Sequence, residues 1–126
     1  APASGLAPAN GTMARYRLQE WLNFITSELH KSFSPLFTPG MPEQAQALYR
    51  ERLLGRFKWV DEQLTGKNYL MGDGFTVADA YLFTVAGWGK HVGVDLSGLS
   101  TLGAYLGRVA ARPAVQAAMK AEGLIK

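Results

Sequence analysis

The side chains best suited to chemistry lie in a row on a helix expected near the start of the chain. Asn23, Ser27 and His30 follow one another at steps of four and three residues, so they share one face of a helix. Lys31 lies four residues after Ser27, at the edge of that face. Amide, hydroxyl, imidazole and ammonium groups in one row can hydrogen-bond a peptide-like anion. The same pattern also fits the solvated side of an amphipathic helix, because cations favour a helix C-terminus.

A second set of candidates is aromatic. Phe33 and Phe37 flank a proline turn that is expected after the first helix. On a later helix, Tyr81, Trp88 and His91 recur at steps of seven and three residues and therefore share a face. Core packing is the commoner fate of aromatic side chains at helical spacing, and spacing alone assigns these rings no other role.

Thr76 and Asp79 have the spacing of a capping box ahead of an apolar run. Their predicted role is structural, because the first N–H groups of a buried helix need acceptors where water is absent. Removing the Asp79 carboxylate should therefore cost on the order of 1–2 kcal/mol of stability.

The candidate side chains need helices to position them, and the apolar periodicity predicts five. The first should end before Pro35, because a residue that precedes proline avoids the helical conformation. The third is apolar nearly all round and should be buried at the centre. The fold class is therefore all-α, a five-helix bundle around a buried central helix, with residues 1–11 as a linker and residues 12–126 as one domain. The predicted helices cover residues 12–33, 42–64, 77–92, 100–111 and 113–122.

The composition excludes several classes of function. The chain has 126 residues, a net charge of +3 and basic residues that are scattered, whereas a nucleic-acid-binding domain concentrates them on one face. It has no cysteine and only two histidines, so we expect no metal site and no thiol nucleophile within it. The absence of cysteine fits a reducing compartment, and we expect a cytoplasmic location. No apolar run approaches the roughly 20 residues that a membrane span needs.

Three segments of the sequence resemble one family. GDGFTVADAYLF, residues 72–83, resembles the capping box and central-helix entry of the glutathione transferase superfamily. ARYRLQEWLNFITSELHKSFSPLF, residues 14–37, resembles the corresponding helix of the bacterial beta class. The similarity continues through RPAVQAAMKAEGL, which ends at Leu124. The chain beyond its first residues therefore resembles the C-terminal helical half of these enzymes.

The resemblance implies roles for the polar row. In beta-class enzymes, the positions that match His30 and Lys31 lie beside the sulfur of glutathione, the co-substrate. By this implication His30 is the catalytic residue that helps the thiol to stay ionised, and Lys31 adds positive potential. Ser27 belongs to the same binding segment, and Asn23 reaches glutathione bound to the neighbouring subunit. Glu28 lies in that segment too, although it fits a surface carboxylate equally well.

The resemblance also implies an apolar pocket for an electrophilic substrate, lined by Phe33, Phe37, Tyr81, Trp88 and His91. Enzymes of this class begin with a thioredoxin-like domain that binds most of the glutathione, and nothing here corresponds to it. We therefore expect part of a homodimeric glutathione transferase, inactive in isolation, and the linker-like start favours a truncated or split enzyme. Two alternatives remain open: a stand-alone helical module that binds a protein partner, and a thiol-exchange or dehalogenation role in the same family.

Overall fold

A computed structural model describes all residues from 1 to 126 and contains five helices and no strand, so the predicted all-α, five-helix fold is confirmed. The first helix covers residues 13–37 in three consecutive segments, Met13–Phe24, Ile25–His30 and Lys31–Phe37. The second is Glu43–Gln63, and the central helix is Val77–Gly87 with a further turn at Gly89–Val92. The fourth and fifth are Ser100–Ala110 and Pro113–Ala121.

The first helix continues through Pro35, so the prediction that it ends before this proline is wrong. A proline inside a helix loses one hydrogen bond and crowds the preceding turn. Tertiary packing outweighs this cost, because Phe33 is fully buried and Leu36 packs against the core. The helix ends at Thr38, whose hydroxyl donates to the carbonyl of Ser34 at 2.8 Å.

The middle of the first helix is wound more widely than an α-helix. Over Ile25–His30 it has the π form, and the N–H of Lys31 donates to the carbonyl of Thr26, five residues earlier. Such π segments are short and often occur at functional sites. Ile25 and Leu29 are fully buried, so the segment is anchored in the core while its other side faces outward.

The second helix closes the bundle against the first. It buries Leu53, Phe57 and Val60, and the Phe57 ring lies 6.3 Å from that of Phe33 between centroids. Its outer side carries charged residues, as expected for an amphipathic helix. No helix in the chain combines the length and the apolar character that crossing a bilayer requires.

The N-terminus of the central helix is tied to three parts of the chain by Asp79, which is fully buried. Its carboxylate accepts hydrogen bonds from the N–H of Thr76 at 2.9 Å, the N–H of Leu70 at 2.9 Å and the hydroxyl of Tyr105 at 2.8 Å. The Thr76 hydroxyl oxygen in turn accepts from the N–H of Ala78 at 3.3 Å. Burial, together with the adjacent Asp79 charge, raises the pKa of the Tyr105 hydroxyl far above its usual value. Tyr105 therefore remains a neutral donor.

The central helix is central in position but is not covered on every side. Its inner side is buried. Its outer side is exposed and carries one valine and three small residues: Val77, Ala80, Thr84 and Gly87. The expected single helix over residues 77–92 is interrupted at Trp88, whose N–H bonds to the carbonyl of Val85 three residues earlier. The last turn ends at Gly93, which has a φ of 78° that favours glycine.

The segment before the first helix lies against the bundle. The carbonyl of Leu6 accepts the N–H of Val77 at 3.0 Å, at the start of the central helix. The carbonyl of Pro8 accepts from Nη1 of Arg15 at 2.8 Å. Thr12 donates through Oγ1 to the carbonyl of Ala9 at 2.7 Å and caps the first helix by accepting the N–H of Arg15. The linker role of residues 1–11 stays a prediction.

Candidate functional site

His30 lies at the end of the π segment, where the first helix meets the central helix. Its side chain is exposed to solvent and contacts two rings of the central helix. The imidazole is edge-on to Trp88, with centroids 4.9 Å apart, and to Tyr81, with centroids 5.7 Å apart. Nδ1 of His30 lies 2.5 Å from the hydroxyl oxygen of Tyr81, within hydrogen-bond distance. The ring is therefore held in one orientation by side chains from another helix.

The Tyr81 hydroxyl has a second partner on the first helix. Oγ1 of Thr26 donates to it at 3.3 Å, so Thr26 and His30 contact the same phenol. Sequence reasoning missed Thr26. The four-residue step from Thr26 to His30 is the signal that could have found it, but an exposed threonine on a helix carries no distinctive pattern.

An open cleft of about 430 Å³ lies beside His30. Trp88 forms one wall and is edge-on to Phe33 and Phe37, with centroids 5.7 Å and 6.1 Å away. Phe33 is fully buried and forms the floor, whereas Phe37 is 51% exposed and forms the rim. The remaining lining residues come from the end of the first helix and the turn after it, Ser34, Thr38 and Pro39. Sequence reasoning missed these three because it placed a turn where the helix continues.

The structure brings some of the predicted aromatic residues together and leaves others apart. His30, Phe33, Phe37 and Trp88 share the cleft. Tyr81 contacts His30 from the side and does not line the cleft. His91 lies one turn beyond Trp88, is exposed and does not line the cleft either.

The other polar candidates are spread along the exposed side of the first helix. Ser27 and Lys31 are exposed, and the Ser27 hydroxyl donates to the carbonyl of Asn23 at 2.9 Å. Asn23 lies two turns before His30, beside a shallow surface depression that also includes Met13 and Tyr16. Lys31 forms no ion pair within the chain, so its ammonium group is free to meet an anion.

Glu28 is engaged with the second helix. Its carboxylate accepts from Nε of Arg56 at 2.8 Å and from Nη2 of Arg52 at 3.4 Å. These two arginines neutralise the negative charge of Glu28, whereas the Lys31 ammonium group has no acidic partner in the chain. No three histidine, aspartate or glutamate side chains come together in a group that could hold a metal ion.

A comparison with protein families places the chain among known domains. Residues 24–113 match the family described as "Glutathione S-transferase, C-terminal domain". This range includes all of the cleft and the whole central helix. It begins one residue after Asn23.

Individual relatives agree with the family match. Glutathione S-transferase GstA of Escherichia coli O157:H7 is 46% identical over 119 residues, which cover 94% of this chain and 59% of that protein. A beta-class glutathione S-transferase of Sphingomonas chungbukensis has a TM-score of 0.93 at 48% identity, covering 98% of this chain and 62% of that one. A sphingomonad glutathione S-transferase in complex with glutathione has a TM-score of 0.92, also at 48% identity, and the same coverage.

The chain spans about three fifths of the length of these relatives. The family match over residues 24–113 contains the later part of the first helix, the second, central and fourth helices, and the cleft beside His30. The sequence match covers 94% of this chain and the structural matches cover 98%. The chain therefore belongs to the glutathione S-transferase C-terminal domain family and resembles its bacterial beta-class members most clearly.

Proposed function

We propose that this chain is the electrophile-binding helical domain of a glutathione transferase. The observation that carries the proposal is that His30 lines an aromatic cleft while Lys31, the next residue, is an unpaired cation. When bound, glutathione supplies a thiolate that forms a carbon–sulfur bond to an electrophile and displaces its leaving group. The glutathione complex of the sphingomonad relative supports this co-substrate.

The chain's own residues would favour the ionised sulfur. A hydrogen bond from the His30 imidazole stabilises a thiolate relative to a thiol, and the Lys31 ammonium group adds attraction for the same anion. Ser27 and Glu28 would contact the peptide part of glutathione, with Glu28 held in place by Arg52 and Arg56. The absence of cysteine from the chain fits our proposal of a cytoplasmic location.

The cleft would bind the apolar electrophile. Phe37 and Trp88 present ring surfaces that suit an aromatic or aliphatic group, buried Phe33 supports them from below, and His30 lies at the same cleft. An electrophile bound against these rings would lie next to the sulfur held by the imidazole. Tyr81 and His91, which do not line the cleft, stay predicted contributors to this substrate site.

We further propose that the functional protein is a homodimer. Met13 and Tyr16 are 69% and 59% exposed on one side of the first helix, and Asn23 continues that side. Large exposed apolar side chains in a row are typical of an interaction surface. Asn23 would then reach glutathione bound to the neighbouring subunit.

The test of the proposed function compares this chain alone with the chain joined to a thioredoxin-like domain of a beta-class relative. We expect conjugation of glutathione to an aromatic electrophile only in the joined protein. His30→Ala should lower its kcat/KM by about 10- to 100-fold, because a hydrogen bond to a charged group contributes roughly 1.5–3 kcal/mol.

Tyr49→Phe is the matched control, since Tyr49 is on the second helix and its hydroxyl makes no hydrogen bond within the chain. Full activity of the chain alone would contradict the proposed division of labour. Unchanged kcat/KM in the His30→Ala variant would contradict the role of the imidazole. Disulfide exchange without conjugation would favour the thiol-exchange alternative.

A further inference from the structure

The contact between the first helix and the central helix includes a chain of three polar groups, from Thr26 through Tyr81 to His30. Thr26 differs from the other serine and threonine side chains that donate a hydrogen bond from within a helix or from its C-terminal cap. Each of those donates to the carbonyl four residues earlier, as do Ser27, Ser32, Thr38 and Thr84. Thr26 instead donates to the oxygen of Tyr81, a side chain on another helix.

Because Thr26 donates to a side chain, the acceptor of each hydroxyl hydrogen in this contact can be assigned. Thr26 has one hydroxyl hydrogen and gives it to the Tyr81 oxygen, so the hydrogen of Tyr81 is available to Nδ1 of His30. A phenol is an acidic donor and an unprotonated imidazole nitrogen is a good acceptor, which favours donation from Tyr81 to His30. We infer that Tyr81 and Thr26 are positioning residues that hold neutral His30 with its hydrogen on Nε2.

The inference rests on the proposed function for its catalytic meaning. The hydrogen bond made by one imidazole nitrogen decides which nitrogen carries the proton. With Nδ1 occupied as an acceptor, the one hydrogen that the neutral ring can donate to a sulfur is on Nε2. His30 then stabilises the thiolate as a donor and does not need to be charged. In the opposite tautomer, the Nε2 lone pair would repel the same thiolate.

The two side chains of the first helix that meet the Tyr81 phenol both belong to the π segment. Thr26 is its second residue and His30 its last, and the widened winding lies between them. Trp88 and Tyr81 pack against the imidazole from the central helix and restrict its rotation. The contacts from Tyr81 and Trp88 therefore restrict the orientation of the imidazole, and the hydrogen bond from Tyr81 selects its tautomer.

Nitrogen-15 NMR of the histidine rings of this chain tests the tautomer directly. The chain has two histidines, and exposed His91 provides the reference for an imidazole without a hydrogen-bonded partner in the chain. At about pH 9, where an ordinary imidazole is neutral, His30 should show a pyrrole-like Nε2 and a pyridine-like Nδ1.

Substitutions distinguish the effect of the hydrogen bonds made by Tyr81 and Thr26 from the effect of their side-chain packing. Tyr81→Phe should move His30 toward the tautomer mixture of His91, and Thr26→Val should do so less, while Thr26→Ser should restore the wild-type spectrum. In the joined protein, Tyr81→Phe should lower kcat/KM by about five- to tenfold, the effect of one hydrogen bond. Tyr49→Phe and Thr65→Val are matched controls whose hydroxyls make no hydrogen bond within the chain and which should leave the spectrum and rate unchanged.

The outcomes distinguish this inference from the proposed function. A hydrogen on Nδ1 of wild-type His30, or a spectrum unchanged by Tyr81→Phe, would overturn the inference, even if His30→Ala still slowed conjugation. Conversely, the expected spectrum combined with no effect of His30→Ala on activity would support the tautomer while removing its catalytic meaning.

Discussion

Phe33 and Phe37 form one cleft, but their surroundings differ. Phe33 is fully buried between the helices, with Phe57 and Trp88 against its ring. Phe37 is 51% exposed at the rim. At the scale of single residues, we therefore expect Phe33 to contribute mainly to folding and Phe37 mainly to the apolar substrate.

Alanine substitutions at these two positions form a matched pair. Phe33→Ala should lower the free energy of unfolding by about 3–5 kcal/mol, because it leaves a cavity in the core. Phe37→Ala should cost less than about 1 kcal/mol, yet raise KM for an apolar electrophile about tenfold in the joined protein. Denaturant unfolding and steady-state kinetics would measure both. Equal destabilisation by the two substitutions would contradict the assignment.

The resemblance to the glutathione transferase family, and not spacing, is the basis for predicting that His30 adjoins the glutathione sulfur and that Phe33, Phe37 and Trp88 line a pocket. Helical periodicity shows which residues share a face of one helix, but not which faces of two helices meet. For that reason the contact of His30 with Tyr81 and the part played by Thr26 could not be predicted. The same limit applies to Glu28, whose two arginine partners lie on a different helix.

At the scale of elements, Asp79 connects the central helix to a loop and to the fourth helix. The Thr76–Asp79 spacing predicts the cap within the helix, and the figure of about 1–2 kcal/mol from the sequence covers that part alone. The bonds from Leu70 and Tyr105 are tertiary contacts, which no local pattern reveals. Pro35 shows the reverse case, since a strong local signal to end the helix is overridden by packing of Phe33 and Leu36.

Tyr105→Phe tests the contribution of one of these tertiary bonds. At about pH 7 the substitution should lower the free energy of unfolding by about 1–2 kcal/mol, because Asp79 loses a buried donor. Above about pH 10 an unfolded tyrosine releases its proton, while folded Tyr105 retains it because burial raises its pKa. The unfolded wild type then binds fewer protons than the folded form, so wild-type stability falls with rising pH.

The stability difference between wild type and the Tyr105→Phe variant should consequently narrow above about pH 10, by up to about 1.4 kcal/mol per pH unit. Other titrating groups are common to both proteins and largely cancel in the difference. Denaturant unfolding at several pH values measures it. If the stability difference between the two proteins stayed constant through the alkaline range, folded Tyr105 would not keep its hydroxyl proton as expected.

At the scale of the whole molecule, we propose that the exposed side of the first helix forms the contact between copies of the chain. Met13 and Tyr16 present apolar surface there. We expect sedimentation of the chain to show self-association that increases with concentration. The double variant Met13→Glu, Tyr16→Glu should stay monomeric with an unchanged helical circular dichroism spectrum. A wild-type chain that is strictly monomeric at high micromolar concentration would count against the homodimer.

The hydrogen bond from the N–H of Val77 to the carbonyl of Leu6 connects the first residues of the chain to the central helix. Val77 is the first residue of the central helix, next to the Thr76 cap, so its amide would lose its partner if the opening stretch peeled away. Displacing the residues before Leu6 would therefore disturb the first turn of the central helix, which Asp79 also stabilises. Cleavage within this stretch is therefore expected to leave the first amide of the central helix to solvent.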